Sequence, residues 1–266
     1  MANKKQRAEQ IDIEELKRIA KEAGRATLEI YKKDFDVQYK YDHDNDDSPL
    51  TQADLKSNEI ITNNLKELSN IPILSEETEQ LPYQKRKDWD KFWLIDPLDG
   101  TKEFVKKNGE FTINIALIKN NKPIRGVVYI PVEDTFYYTK GEKAFKQIKN
   151  NEPKEISNKE SIEDKDKIIV VASKSHFNKE TKEYIESLGK EYELIRKGSS
   201  LKLCSVAEGK ADIYPRLGPT MEWDTGASHA VVKNAGKNVY RFENNKIGHE
   251  LTYNKENLKN PFFVVK

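Results

Sequence analysis

The chain has 266 residues, 36% of them hydrophobic and 34% charged, with 46 Lys plus Arg against 45 Asp plus Glu. That length allows one large domain or two modest ones with a buried core, which excludes a repeat array or a peptide-sized scaffold. A net charge of +1 creates no long-range field for a polyanion, so general nucleic-acid binding is disfavoured. A single cysteine, Cys204, allows no internal disulfide and points to a reducing compartment, the cytoplasm. The opening run MANKKQRAEQIDIEELK turns charged before any apolar stretch forms, and no window approaches the ~18 apolar residues of a membrane span, so neither a signal peptide nor a transmembrane segment is expected.

In chain order, Ile13, Leu16, Ile19, Ala20, Ala23, Leu28 and Ile30 recur at helical spacing, which predicts an amphipathic helix over Ile11 to Tyr31. A polar stretch with Asp42, Asp44, Asp46 and Asp47 follows. It starts like an EF-hand loop but lacks the glycine at position six and the glutamate at position twelve, so a calcium site is rejected. Beyond Pro49, Leu55, Ile60, Ile61 and Leu65 predict a second helix over Thr51 to Leu68. Ile71 to Leu74, Phe92 to Ile95, Thr112 to Ile118, Ile124 to Pro131 and Thr135 to Thr139 read as strands, together a mainly antiparallel sheet under helices. Lys149 to Lys167 is polar and breaks that rhythm, so the first domain is expected over 1–158 and the second over 159–266. Strands at Ile168 to Ala172 and Tyr192 to Ile195, alternating with helices at Lys179 to Leu188 and Leu201 to Glu208, make the second half α/β. Cys204, Trp89, Trp93 and Trp223 are read as core residues.

The chemistry concentrates where apolar segments end in acids. In Trp93-Leu-Ile-Asp96-Pro97-Leu98-Asp99-Gly100-Thr101, Pro97 fixes φ and Gly100 permits an unusual turn, so both carboxylates and the Leu98 carbonyl can face one point. Converging hard oxygen ligands suit Mg²⁺, and carboxylates so gathered without a cation repel or take up protons. Ile73-Leu-Ser-Glu76-Glu77 is another strand ending in acids, and Asp224 opens a run of small and apolar residues with Gly236 as its C-terminal stop. Singly these are a turn, a solvated strand end and a helix cap. Three such boundaries, with Thr101 two residues after Asp99, point instead to a two-metal centre.

The runs WLIDPLDGTKEF and WDTGASHAVVKNAG resemble the paired signatures of the lithium-sensitive, Mg²⁺-dependent phosphatases that include the inositol monophosphatases. Within that group SEE, DPLDGTKEFVKKNGEFTINIALI, GVVYIPV, GSSLK, AEGKADIYPR and GPTMEWDT are similar to the bacterial 3'(2'),5'-bisphosphate nucleotidases, from about Ile13 to the C-terminus. The resemblance implies a layered αβαβα sandwich, α/β and α+β in class, with the active site between two domains. It implies that Glu76, Asp96 and the Leu98 carbonyl hold one Mg²⁺, and that Asp96, Asp99 and Asp224 hold a second, with Asp96 bridging. Glu76 and Thr101 would orient and deprotonate the attacking water, supported by Asp54, with no phosphoenzyme. Gly100 and Thr101 N–H groups would cradle the phosphate. Gly198, Ser199, Ser200 and Lys202 would seat the second phosphate, with Arg216 as a further candidate, and His176 would approach the base. The reaction implied is removal of the 3'-phosphate of adenosine 3',5'-bisphosphate. Lys102-Glu103-Phe104 and GSSLK speak against the nearest rival, an inositol monophosphatase. A non-catalytic phosphonucleotide sensor is the rival of another class, disfavoured because Glu76, Thr101 and Asp54 are all present. The expected partner is the small nucleotide bisphosphate. A homodimer and peripheral attachment at the cytoplasmic face of the inner membrane both stay open. Two departures from the family pattern stand out: the Asp-rich stretch at 42–47, a flap in the family, is longer and more acidic, and Gly226 replaces the usual Ala, which predicts a looser first turn.

Overall fold

The structure, a computed structural model, describes residues 12–33, 37–40, 48–174 and 177–266. The flap acids Asp42, Asp44, Asp46 and Asp47, and His176, lie outside the described residues.

Helix α1 (Ile13–Tyr31) starts where the Asp12 side chain accepts the Glu14 N–H at 3.1 Å. The short strands β1 (Val37–Lys40) and β2 (Ser48–Thr51) pair antiparallel and lead into α2 (Gln52–Leu68). A seven-stranded sheet follows, in the order β3 (Ile73–Ser75), β4 (Lys91–Asp99), β5 (Thr112–Lys119), β6 (Lys122–Ile130), β7 (Thr135–Lys140), β8 (Lys143–Ile148) and β9 (Lys154–Ile156). Only β3 and β4 run parallel; every other pairing is antiparallel, as the meander-like alternation of the sequence predicts. Two single-turn helices, α3 (Tyr83–Arg86) and α4 (Thr101–Val105), flank β4. The polar stretch after Lys149 is not all loop: β9 extends the sheet there, too short to show a period.

Alternation places the two faces of this sheet in different cores. Trp93, Ile95, Ile113, Ile115 and Leu117 pack under α1 and α2 with Ile19, Ile61 and Leu65. Phe92, Leu94, Ala116, Ile118 and Val128 pack instead against α6 (Leu201–Ala207) and α7 (Glu222–Asn234), through Val206, Ala227 and Val231. Beyond those helices lies a fourth layer. It contains β10 (Lys167–Ser173) paired parallel with β11 (Glu191–Lys197), and a sheet of β12 (Tyr214–Arg216), β15 (Phe263–Val265), β13 (Val239–Glu243) and β14 (Lys246–Glu250). A bridge between Val170 and Ile213 joins the two pieces. The fifth layer is α5 (Lys179–Ser187), whose Tyr184 and Ile185 cover Ile168, Val170, Phe242 and Val264. The chain is thus an αβαβα sandwich. Among the described residues no helix is long and apolar enough to cross a membrane.

Two glycines seat α7 on the sheet. A Cβ on Gly126 would stand 2.1 Å from the Ala227 carbonyl oxygen, and one on Gly226 would stand 2.7 Å from Leu94 Cδ2. Gly226 therefore lets the first turns of α7 approach β4 closely, a packing reason beyond the looser turn expected from composition. Cys204 and Trp93 are fully enclosed, and Trp223 is buried.

Candidate active site

Residues 96 and 99 are three apart, so in a regular strand their side chains would point to opposite faces. Here Asp96 pairs with Asn114 and Asp99 with Thr112, so that Pro97 and Leu98 of β4 oppose the single residue Ile113 of β5. This bulge at Pro97-Leu98 returns Asp99 to the face of Asp96, the face toward α7. The Ser57 hydroxyl donates to the Pro97 carbonyl at 2.6 Å, and the Leu98 N–H donates to Asp96 Oδ1 at 3.1 Å, fixing the kink from both sides. Gly100 then takes φ 92°, a left-handed value that favours glycine, and opens α4.

Four other acids or hydroxyls reach this point from separate elements. Glu76 follows β3 directly, its N–H on the Ile95 carbonyl at 3.2 Å. Asp224 stands in the first turn of α7, where its Oδ2 accepts the Met221 N–H at 2.9 Å. Asp54 is buried at the start of α2; Thr51 fills its Oδ2 with a backbone N–H at 2.8 Å and a hydroxyl at 2.6 Å. Its Oδ1 faces the Thr101 hydroxyl at 3.2 Å, a hydroxyl also 3.2 Å from the Leu98 carbonyl.

The electrostatics bind these groups into one neighbourhood. Burial, followed by the charges of Glu76, Asp99, Asp224 and Glu77, pushes the Asp96 carboxyl well above the usual carboxylate range. Burial and the Asp99 charge push Asp224 up to about 7, against the pull of the Met221 N–H, Arg216 and Lys202. Among the described residues no three His, Cys, Asp or Glu side chains form a group that could hold a metal ion in the conformation present. The donor set nevertheless fits Mg²⁺ in kind: all-oxygen, anionic, buried at Asp96, and strained by like charge that a divalent cation would relieve.

The second half closes the site from above. Gly198 N–H donates to Glu110 Oε2 at 2.7 Å, and Lys174 and Lys197 reach the same carboxylate at 2.9 and 3.7 Å. Although burial acts the other way, Lys174 and the Gly198 N–H hold Glu110 below its usual range. The Ser199 and Ser200 hydroxyls both turn onto Asp99 Oδ2 at 2.7 Å. Lys202 is buried, donates to the Ser199 carbonyl at 2.6 Å, and has its ammonium pulled down to about 8 by burial. Arg216 is buried too; it donates to the Pro219 carbonyl at 2.7 Å, while its Nε has no hydrogen-bond partner among the described residues. Of the side chains in the expected second-phosphate seat, the two serines therefore brace Asp99, and Lys202 and Arg216 carry the positive charge.

Sequence reasoning missed Glu110, Thr112 and Asn114. Thr112 and Asn114 emerge from the β4–β5 register, where a strand face read across from the DPLDGT bulge was the signal that could have found them, and Glu110 emerges only from its contact with the Gly198 N–H.

A model described as the inositol monophosphatase family matches residues 9–260. The chain is 42% identical over 255 residues to the 3'(2'),5'-bisphosphate nucleotidase CysQ of Salmonella typhimurium, covering 95% of this chain and 98% of that one. The crystal structure of CysQ from Bacteroides thetaiotaomicron superposes with a TM-score of 0.78 at 42% identity, covering 93% of this chain and 94% of that one. An IMPase from Thermotoga maritima shares the fold, with a TM-score of 0.69 at 21% identity, covering 94% of this chain and 89% of that one.

Proposed function

Because the chain belongs to the inositol monophosphatase family, we propose that it is a Mg²⁺-dependent phosphatase that removes the 3'-phosphate of adenosine 3',5'-bisphosphate, giving AMP and phosphate. The observation that carries this reading is the bulge that turns Asp96 and Asp99 to one face beneath Asp224. The relatives at 42% identity over nearly the whole chain point to the same substrate.

Glu76, Asp96, the Leu98 carbonyl, Asp99 and Asp224 would hold the Mg²⁺. Bound Mg²⁺ supplies positive charge at the phosphate oxygens and makes water more acidic. The protein's own part is orientation and proton handling. With Oδ2 of Asp54 filled by Thr51, its Oδ1 accepts the Thr101 hydroxyl proton, so the Thr101 oxygen keeps lone pairs to receive the proton of the attacking water. Glu76, just past the end of β3 and beside β4, would flank the same water. Gly100 and Thr101 line the phosphate, while Lys202 and Arg216 give the second phosphate of the substrate its counter-charge. The reaction belongs to the cytoplasm on this reading, where the lone, buried Cys204 stays a thiol.

The test is phosphate release from adenosine 3',5'-bisphosphate and from inositol 1-phosphate, each at equal concentration with excess Mg²⁺. A clear preference for the nucleotide is expected. Preference for the inositol ester would overturn the substrate, and tight nucleotide binding without release would overturn catalysis itself.

Lys202 also gives a pH signature. Its ammonium, drawn down to about 8 by burial, is charged below that pH and neutral above it. The KM for the bisphosphate should therefore rise by about tenfold between pH 7 and pH 9.5 as a charge-assisted contact is lost. Lys202→Met should start at the higher KM and stay flat; a wild-type profile in that variant would remove Lys202 from the substrate site.

A further inference from the structure

Three hydrogen-bonding residues run in a line from β5 into Asp99. The Ser199 hydroxyl, with a single proton, donates to Asp99 Oδ2 at 2.7 Å, so the 2.6 Å contact between Ser199 Oγ and Thr112 Oγ1 must be donated by Thr112. Thr112, its proton spent, accepts the Asn114 Nδ2–H at 3.1 Å. The direction of every link is thus dictated by the carboxylate, which can only accept. Asn114 is buried and its Oδ1 has no hydrogen-bond partner among the described residues. An apolar residue there would leave no such orphan, so the position serves its donor half. Thr112 and Asn114 are also the register partners of Asp99 and Asp96. Ser199, held at φ 50°, is pinned by Lys202 on its carbonyl, and the preceding N–H by Glu110. A chain of hydroxyls polarised in one direction strengthens its last bond.

We propose that Asn114, Thr112 and Ser199 form a positioning relay that fixes the carboxylate of Asp99 through Oδ2 and presents Oδ1 to the cation. The inference rests on the reading of Asp99 as a metal ligand. None of the three is a catalytic residue; they act through Asp99, and they tie the cation site to the seating of the 198–200 turn on β5.

The experiment is calorimetric titration of the metal-free, full-length protein with Mg²⁺, beside its thermal unfolding without metal. Removing a partner of a metal-binding carboxylate typically weakens affinity 10- to 100-fold. Because Ser200 still donates to the same oxygen, Thr112→Val and Ser199→Ala should each weaken Mg²⁺ binding by about tenfold. Thr112→Ser, which restores the hydroxyl, should bind within about twofold of the wild type. The double variant T112V/S199A should be no weaker than the worse single one, since both break one chain. If Thr112→Val unfolds, Ser199→Ala reads the same chain one link away. Asp99→Asn separates the two levels of failure. Wild-type Mg²⁺ affinity in D99N overturns both the ligand assignment and the relay. Loss of binding in D99N with wild-type affinity in T112V and S199A overturns the relay alone. Equal weakening in T112V and T112S, or a loss matched by a fall in metal-free melting temperature, makes the role structural and overturns it as well.

Discussion

Asp96→Asn is expected to lower turnover at least about 10³-fold while the protein stays folded. Asp96 is buried, and the charges of Glu76, Asp99, Asp224 and Glu77 all act on it. Asn keeps the shape and the backbone contact made by the Leu98 N–H, but removes the charge that the proposed Mg²⁺ would meet at the centre of the acid group. A loss of several kcal/mol in transition-state stabilisation corresponds to three or more orders of magnitude in rate. The same change relieves like-charge repulsion in the metal-free protein, so its melting temperature should stay level or rise. The checks are phosphate release in saturating Mg²⁺ and a metal-free thermal scan. Activity near that of the wild type would refute the metal assignment.

Local sequence made the elements that surround this site readable. The bulge was foreshadowed by Pro97 and Gly100, whose restricted and permissive backbones allow two acids three residues apart to share a face. The helices announced themselves by period, and β3 and β4 by apolar runs ending in acids. What stayed hidden depends on pairing. Nothing in TINIAL marks Thr112 and Asn114 as polar groups beneath Asp99 until β5 is set in register with β4. Ser199 and Ser200 read equally well as a phosphate turn; only the packing of 198–200 on the β4–α4 corner commits their hydroxyls to Asp99. The short strands β9, β12 and β15 carry three residues each, too few for a period-two signal. Gly226 could be judged for helix propensity from sequence, but its fit against Leu94 is a property of the assembled layers.

Gly126→Ala should be the most damaging single methyl in the scaffold. Gly126 lies in β6 opposite Ala116, with its N–H donated to the Thr139 hydroxyl at 3.1 Å. An added Cβ would fall 2.1 Å from the Ala227 oxygen, 2.9 Å from its carbonyl carbon and 3.0 Å from Ala230 Cβ. Two of these obstacles are helix backbone, which cannot turn aside as a side chain end can, so α7 must lift off the sheet. Overpacking of a tight core costs 1–3 kcal/mol and occasionally more, and backbone contact puts this case at about 3 kcal/mol or above. For a chain of this size that is a fall in melting temperature of roughly 6–12 °C. Gly248→Ala, where the nearest atoms stand 3.7 Å or farther, should change it by no more than about 2 °C. The strain also reaches the chemistry, because Asp224 rides on the first turn of the helix that is displaced. Below its melting transition Gly126→Ala should therefore require more Mg²⁺ for half-maximal activity than Gly248→Ala. Equal melting and equal metal demand in the two variants would show that α7 does not rest on Gly126, and that Asp224 is positioned by something other than the contact between this helix and the sheet.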